Sequence, residues 1–182
     1  PAINGRPVEP SDYANPRAQR LAAREFNLSQ GADLPQDNRV LAGAWWSEGE
    51  GAAPQFSVEQ GLAETLGIAL GDEITFLVSG RPVTAPVTSL REVQWDSFNV
   101  NFFVVSSPVV LAQEPATYIT SFHLPTARED LIPELVRRFP SVTLLDVNAI
   151  LDQVRTVVDR GVMAVEYVFL FTLVAGLLVM FA

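Results

Sequence analysis

No Asp, Glu, Arg, Lys or Pro interrupts the last stretch of this chain, from Tyr167 to Ala182. Every side chain there is apolar or small, apart from Thr172 and the ring hydroxyl of Tyr167. With Val162 to Glu166 in front of it, the run reaches the roughly 20 residues a helix needs to cross a bilayer. A soluble surface helix alternates with polar positions, and this run does not. A buried hairpin helix is the other structure such a run can make.

The residues before it carry a different pattern. Val147, Ile150, Leu151, Val154, Val157, Val158, Gly161, Val162 and Val165 follow an i, i+3, i+4, i+7 spacing. Asn148, Asp152, Arg155, Asp159 and Glu166 fall on the opposite face. Asp146 stands where an N-cap belongs, and no proline follows it. The spacing predicts one continuous helix, amphipathic over 147–165 and apolar over 166–182, about 54 Å long at 1.5 Å per residue. It divides into a stalk standing in water and a span entering the membrane. Glu166 sits at the mouth of that span, where an ionisable side chain is either functional or an interfacial residue facing water.

Composition narrows the chemistry. The formal net charge is −9, and all 12 basic residues are Arg. An acidic chain without a basic run is a poor nucleic-acid ligand, so no nucleic-acid partner is expected. Cysteine is absent, so disulfides and thiolate catalysis are excluded. The lone histidine, His123, cannot supply a histidine zinc site, and no Gly-x-Ser-x-Gly turn offers a nucleophile to pair with it. No Gly-x-x-x-x-Gly-Lys loop is present, so this piece is expected to hydrolyse no ATP. Asp33, Asp37, Glu48 and Glu50 lack calcium-loop spacing and read as solvated acids. The expectation is a non-enzymatic chain with no cofactor and no metal. Both ends look cut, as in an internal piece of a longer protein.

The middle of the chain reads as β-rich. Strands are expected at Glu25–Ser29, Glu73–Val78, Val83–Val93, Asn101–Val105 and Thr117–Leu124, and the run Arg39–Gly43 leads to Trp45-Trp46. Pro86 places the Val83–Val93 strand at an edge or a bulge. Ser57 to Gln60 has the pattern of a capping box opening a short helix that ends at Gly67. A first helix is expected within Arg17–Glu25, after the Asn15-Pro16 break. A later one follows Thr126 and Glu129 and runs to Pro140, with Pro133 tolerated in its first turn. Val142–Leu145 reads as a last short strand. The fold class is α+β, a β-rich insert on a small α+β subdomain followed by the long helix. Boundaries fall at 1–24 (first part of the α+β subdomain), 25–125 (insert), 126–146 (second part), 147–165 (stalk) and 166–182 (transmembrane).

Two sets of residues stand out as candidates. Trp45, Trp46, Trp95, Phe98, Phe102 and Phe103 are many large aromatics for a modest β unit. They make either core or an apolar surface for a lipid-like ligand or a partner. Val154, Val158, Gly161 and Glu166 are the stalk positions expected to couple membrane to head.

Glu25-Phe26-Asn27-Leu28-Ser29, Leu34-Pro35, Asn38, Gly43, Trp45-Trp46 and Ser57 to Ala63 together resemble the periplasmic region of the YbbP-type ABC transporter permeases. The likeness continues through Leu66-Gly67, Leu70-Gly71-Asp72, Thr75-Phe76, Ser89-Leu90-Arg91, Trp95 to Phe98, Asn101 to Phe103 and Tyr118 to Phe122. It closes with Arg138-Phe139-Pro140, Leu145-Asp146-Val147 and the stalk. The Leu-Gly-Asp turn is shared with the broader FtsX, LolC/LolE and MacB permeases.

The resemblance implies an inner-membrane permease with most of this segment in the periplasm and a MacB-like two-part head. It implies a separate cytoplasmic ATP-binding subunit, other permease helices or a second permease copy, and hydrophobic or lipid cargo handled through mechanical transmission. It also makes a periplasmic esterase or other hydrolase a plausible partner. The competing reading is a membrane-anchored module that recruits or activates such a hydrolase. The physical counterpart of both is a stiff helix, which carries a displacement that a Gly/Ser linker cannot.

Overall fold

Strand β7 (Arg81–Val93) is thirteen residues long, and the rest of the first unit is arranged on it. The computed structural model describes residues 1–47, 53–97, 99–125, 128 and 130–181, with backbone alone over 148–157. It divides the chain into two units, Pro1–Phe122 and His123–Ala182.

Alternation along β7 is strict. Ala85, Val87, Ser89, Arg91 and Val93 are buried, and the residues between them are not. The N-terminal half pairs antiparallel with β6 (Glu73–Val78) through the turn at Ser79-Gly80. Both turn residues have positive φ, 50° and 81°, the geometry that matches the twist of a two-residue hairpin. In this half β6 is the only described strand paired with β7, so Pro86 removes no second ladder bond. The C-terminal half pairs antiparallel with β4 (Asn38–Gly43) and parallel with β5 (Phe56–Glu59).

The sheet extends in both directions from there. β1 (Ala2–Ile3) adds to β6 and β2 (Arg6–Pro7) to β1. β8 (Val104–Ser106) pairs with β5, and β3 (Leu28–Gln30) runs parallel to β8. Among the described residues this is a mixed sheet of eight strands. The first helix, α1 (Pro16–Ala22), starts with the Asn15 side chain accepting from the Arg17 N–H at 2.8 Å and Pro at its first position. Helix α2 (Gln60–Leu66) ends at Gly67 in the left-handed conformation, as expected.

The core lies between these helices and the sheet. Phe56, Val58, Leu62, Ala63, Ile74 and Phe76 are all buried in it. Each of the larger of these side chains contributes roughly 1.5–3 kcal/mol by leaving water. Residues 1–24 are part of this unit. β1 hydrogen-bonds to β6, Ala22 belongs to the core, and the Tyr13 hydroxyl donates to the Leu66 carbonyl at 3.2 Å. The fold is α+β, a mixed sheet with helices and a terminal apolar helix.

Several expected elements differ. Ser57 caps nothing: β5 runs on to Glu59, and the Glu59 carboxylate accepts the Leu62 N–H at 2.7 Å. Pairing with both β7 and β8 claims the backbone of Ser57 for the sheet, leaving Glu59 as the first residue free to cap. The strand expected at Glu25–Ser29 shifts to Leu28–Gln30, and that at Asn101–Val105 to Val104–Ser106. Thr117–Leu124 alternates yet is irregular, with Tyr118 94% exposed, because no described strand pairs with it. Val142–Leu145 is irregular as well.

In the second unit, α3 (Leu131–Arg138) carries Pro133 in its first turn. The capping residues Thr126 and Glu129 lie outside the described residues. The long helix α4 (Val147–Phe181) is continuous over 35 residues and starts directly after Asp146. Its part long and apolar enough to cross a membrane is Val158–Phe181, 24 residues with mean hydropathy 2.3. That stretch begins earlier than the expected boundary at 166 and takes in Gly161 and Glu166.

Gly43 has φ +75°, and a Cβ there would stand 2.1 Å from the Thr88 carbonyl oxygen. Gly43→Ala is expected to cost about 2–4 kcal/mol, combining left-handed strain with a backbone clash. Gly31→Ala, whose Cβ would meet its nearest atom at 3.6 Å, is the control and stays within about 0.5 kcal/mol. Chemical unfolding of the full chain in detergent, followed by tryptophan circular dichroism, reads the difference.

Candidate functional site

The inward face of β7 changes character halfway. After Ala85 and Val87 come Ser89 and Arg91, both with no exposed surface. The Ser89 hydroxyl donates to Ser57 Oγ on β5 at 2.8 Å. Arg91 donates through one terminal nitrogen to Asn38 Oδ1 and through the other to the Phe102 carbonyl. Its Nε–H finds no acceptor among the described residues. Burial pushes the Arg91 pKa down to about 10, against the pull of Glu59 and Asp37, so the guanidinium stays charged at neutral pH.

Asn38 relays that charge. Its amide nitrogen donates to Asp37 Oδ1 at 3.1 Å and to Asn101 Oδ1 at 2.8 Å. Asp37 Oδ2 accepts from Asn101 Nδ2 at 2.6 Å and from the Ser97 hydroxyl. Burial pushes the Asp37 carboxyl up, but the bonds from Ser97, Asn101 and Asn38 outweigh it and bring the pKa down to about 2. The Gln94 N–H donates to the Asp37 carbonyl at 3.1 Å. The network therefore fastens the loop that joins β7 to β8 at several points. It is a clamp.

The loop presents the aromatics. Trp95 is 48% exposed and packs on half-buried Phe103, ring centroids 4.7 Å apart. Phe103 leans edge-on against Phe26 at 6.2 Å, and Phe26 continues inward to Phe76 at 6.4 Å. Trp45 and Trp46 form a separate stacked pair, 3.9 Å between centroids. Their indole N–H groups donate to the Ala32 and Gly31 carbonyls, each at 2.9 Å, and Trp46 is buried. The six expected aromatics thus do not make one surface among the described residues. Trp45 and Trp46 tie β4 to the preceding loop, Phe102 is half-buried and lends its carbonyl to Arg91, and Trp95 with Phe103 reaches solvent. Phe98 lies outside the described residues.

A groove of about 440 Å³ opens beside that last pair. It is lined by Trp95 and Phe103, by Leu62 and Glu59 from the β5–α2 junction, and by Arg17, Arg20 and Arg24. Elsewhere, Glu48 and Glu50 lie outside the described residues, and His123 is exposed. Among the described residues no three His, Asp or Glu side chains gather as a metal site would need. On α4, Val158, Gly161 and Glu166 are exposed, and the side chain of Val154 lies outside the described residues.

Arg91, Asn38, Ser97 and Asn101 were absent from the expected site residues. The signal for Arg91 is a charge at an inward position of a strictly alternating strand. Nothing in the spacing of the others says that they meet.

No protein-family model matches the chain. No solved structure matches it either. The chain is 34% identical over 181 residues to the uncharacterized ABC transporter permease YbbP of Escherichia coli strain K12, an alignment that takes in 100% of this chain. The chain spans 21% of that relative's length.

Breaking the clamp has a defined cost. Arg91→Leu leaves Asn38 and the Phe102 carbonyl unpaired and is expected to lose about 3–5 kcal/mol; Arg91→Lys cannot span both acceptors and recovers little of it. Urea unfolding of the full chain in detergent measures both. The Asp37 contribution is depressed-carboxylate stability. It is complete above the unfolded pKa near 3.9 and is lost as pH falls through about 2. Asp37→Asn is therefore less stable than the parent at pH 7, and the gap narrows as pH falls from about 4 to about 2. A pH-independent gap would disprove the assignment.

Proposed function

We propose a function from one premise: this chain belongs, as a segment, to the YbbP-type ABC transporter permeases, which its whole length matches. It is the non-catalytic head and lever of such a permease. ATP is hydrolysed by a separate cytoplasmic ATP-binding subunit, as an ABC permease implies. The membrane is the bacterial inner membrane, and the sheet unit stands in the periplasm. By likeness to MacB- and FtsX-type permeases, movement of the long helices rearranges that head, and hydrophobic cargo is exported or extracted at the outer face. Other permease helices or a second permease copy pack against the span.

The observation that carries this reading is α4. Thirty-five residues run without a break, and the last 24 of them are apolar enough to span. An unbroken helix is stiff along its axis, so a displacement at one end appears at the other. Val154, Val158, Gly161 and Glu166 lie along this rod as the coupling positions. Glu166, deeper in the candidate span than Asp159 and Arg160, is expected to face protein or water rather than lipid.

A second reading has its own support. Tyr118, Ile119 and Phe122 are 94%, 63% and 54% exposed in one irregular segment, which suits a protein surface better than bulk water. On that reading the chain recruits or activates a periplasmic esterase or other hydrolase. Copurified lipid with the assembled permease supports the transport reading; a stable protein partner without lipid supports the recruiting one.

The lever is tested by inserting Gly-Ser-Gly-Ser after Asp152, ahead of the span, in the complete permease with its ATP-binding subunit. ATP hydrolysis should persist while the ATP-dependent change in the head, read by site-directed spin labels, falls at least about fivefold. An insertion of one heptad of helix formers should retain more of the response, because it keeps the rod stiff. An unchanged response in the flexible variant would sink the lever.

A further inference from the structure

We infer that the groove between α1 and the β7–β8 loop binds the head group and proximal chain of an anionic amphiphile. Arg17, Arg20 and Arg24 follow i, i+3 and i+7, so helix α1 and the turn after it set them along one side. All three are exposed, and among the described residues no carboxylate lies within 4 Å of any of their nitrogens. Three other arginines, Arg39, Arg81 and Arg128, do have acidic partners. The Glu59 carboxylate is the acid in the groove. One of its oxygens is already engaged by the Leu62 N–H, and it leaves the three cations with a surplus of positive charge.

The same groove has an apolar lining. Trp95 packs at a tilt against Phe103, Leu62 lines the groove with them, and the Arg24 guanidinium stands 5.3 Å from the Phe103 ring centre. A free anion would use the arginines and ignore the indole. A neutral lipid would use the rings and leave the guanidinium groups without a counter-charge. An amphiphile with an anionic head uses both, and guanidinium groups suit phosphate or carboxylate oxygens. The volume falls in the range of small-molecule sites, too small for a folded partner. The loop carrying Trp95 is the one the Asp37–Arg91 clamp holds, so the wall is set before a ligand arrives. This assignment names the cargo class of the permease reading and rests on that reading for its purpose, though not for its geometry.

The test uses the full chain in phosphatidylcholine nanodiscs, with empty nanodiscs subtracted. Equilibrium dialysis measures binding of dodecyl phosphate, dodecanol and inorganic phosphate. Dodecyl phosphate is expected to bind saturably and at least about tenfold more tightly than either of the other two. The triple variant R17Q/R20Q/R24Q should weaken dodecyl phosphate at least about tenfold and leave dodecanol unchanged, and Trp95→Ser should weaken both alkyl probes. Arg24→Gln alone, an exposed single change, should weaken dodecyl phosphate about threefold and guards against a triple variant that misfolds. Absence of saturable binding, an unaffected triple and single variant, or inorganic phosphate binding as tightly as the alkyl phosphate overturns the proposal. None of these readings uses ATP. A failed titration beside an intact lever removes the groove and keeps the permease; saturable binding beside a dispensable lever does the reverse.

Discussion

A guanidinium group with no water around it has to be answered by the protein, and in this chain the answer organises the loop that matters most. Arg91 is wholly buried, and its two terminal nitrogens reach Asn38 on β4 and the Phe102 carbonyl near β8. Neither acceptor carries a full charge. The compensating carboxylates are Glu59, which acts through space, and Asp37, one amide away through Asn38. Spreading one ion pair over an intervening amide keeps each group hydrogen-bonded while reducing the demand for ideal contact geometry. Replacing the set by apolar residues would satisfy hydrophobicity equally well. It would leave nothing to fix the loop's path, since apolar packing is not directional.

That directionality has a structural consequence. β7 is apolar inward where α2 packs on the sheet, then polar inward where the loop after it must be held. A single strand thus supplies both the core and the clamp. Because β4 pairs with its second half, a shift of that strand would move the Asn38 acceptor away from Arg91. Gly43, pressed against Thr88 at the far end of the β4 ladder, helps pin that register. The exposed aromatics Trp95 and Phe103 inherit their positions from these constraints rather than from packing of their own.

The sequence made some of this plain and hid the rest, for physical reasons. Period-two alternation in β6 and β7, the turn between them, the left-handed stop at Gly67 and the unbroken α4 are local signals, and the structure agrees with each. Ser57 was misread because its sequence context suits a cap, while its partners across the sheet lie some thirty and fifty residues away. Thr117–Leu124 alternates as a strand does, but alternation describes a half-buried surface and cannot create an edge to pair with. The aromatics were legible as a group and illegible as two groups. Division into a stacked indole pair and a loop wall depends on which strands are neighbours. Arg91 was the one hidden hub with a visible trace, a charge on the inward stripe of an otherwise regular strand.

The same distinction bears on the two halves of the molecule. The sheet unit is specified by long-range hydrogen bonds whose partners must all be present at once. The long helix is specified residue by residue, since each of its backbone bonds closes within four positions. An element of the second kind keeps its form whatever surrounds it, including lipid, where internal satisfaction of every backbone group is obligatory. It can therefore be displaced along its axis without losing its structure. The clamped sheet, by contrast, resists internal rearrangement because buried charges would lose their partners before new ones formed. The two units are therefore held by opposite means, the sheet by partners far apart in sequence and the long helix by neighbours four residues away.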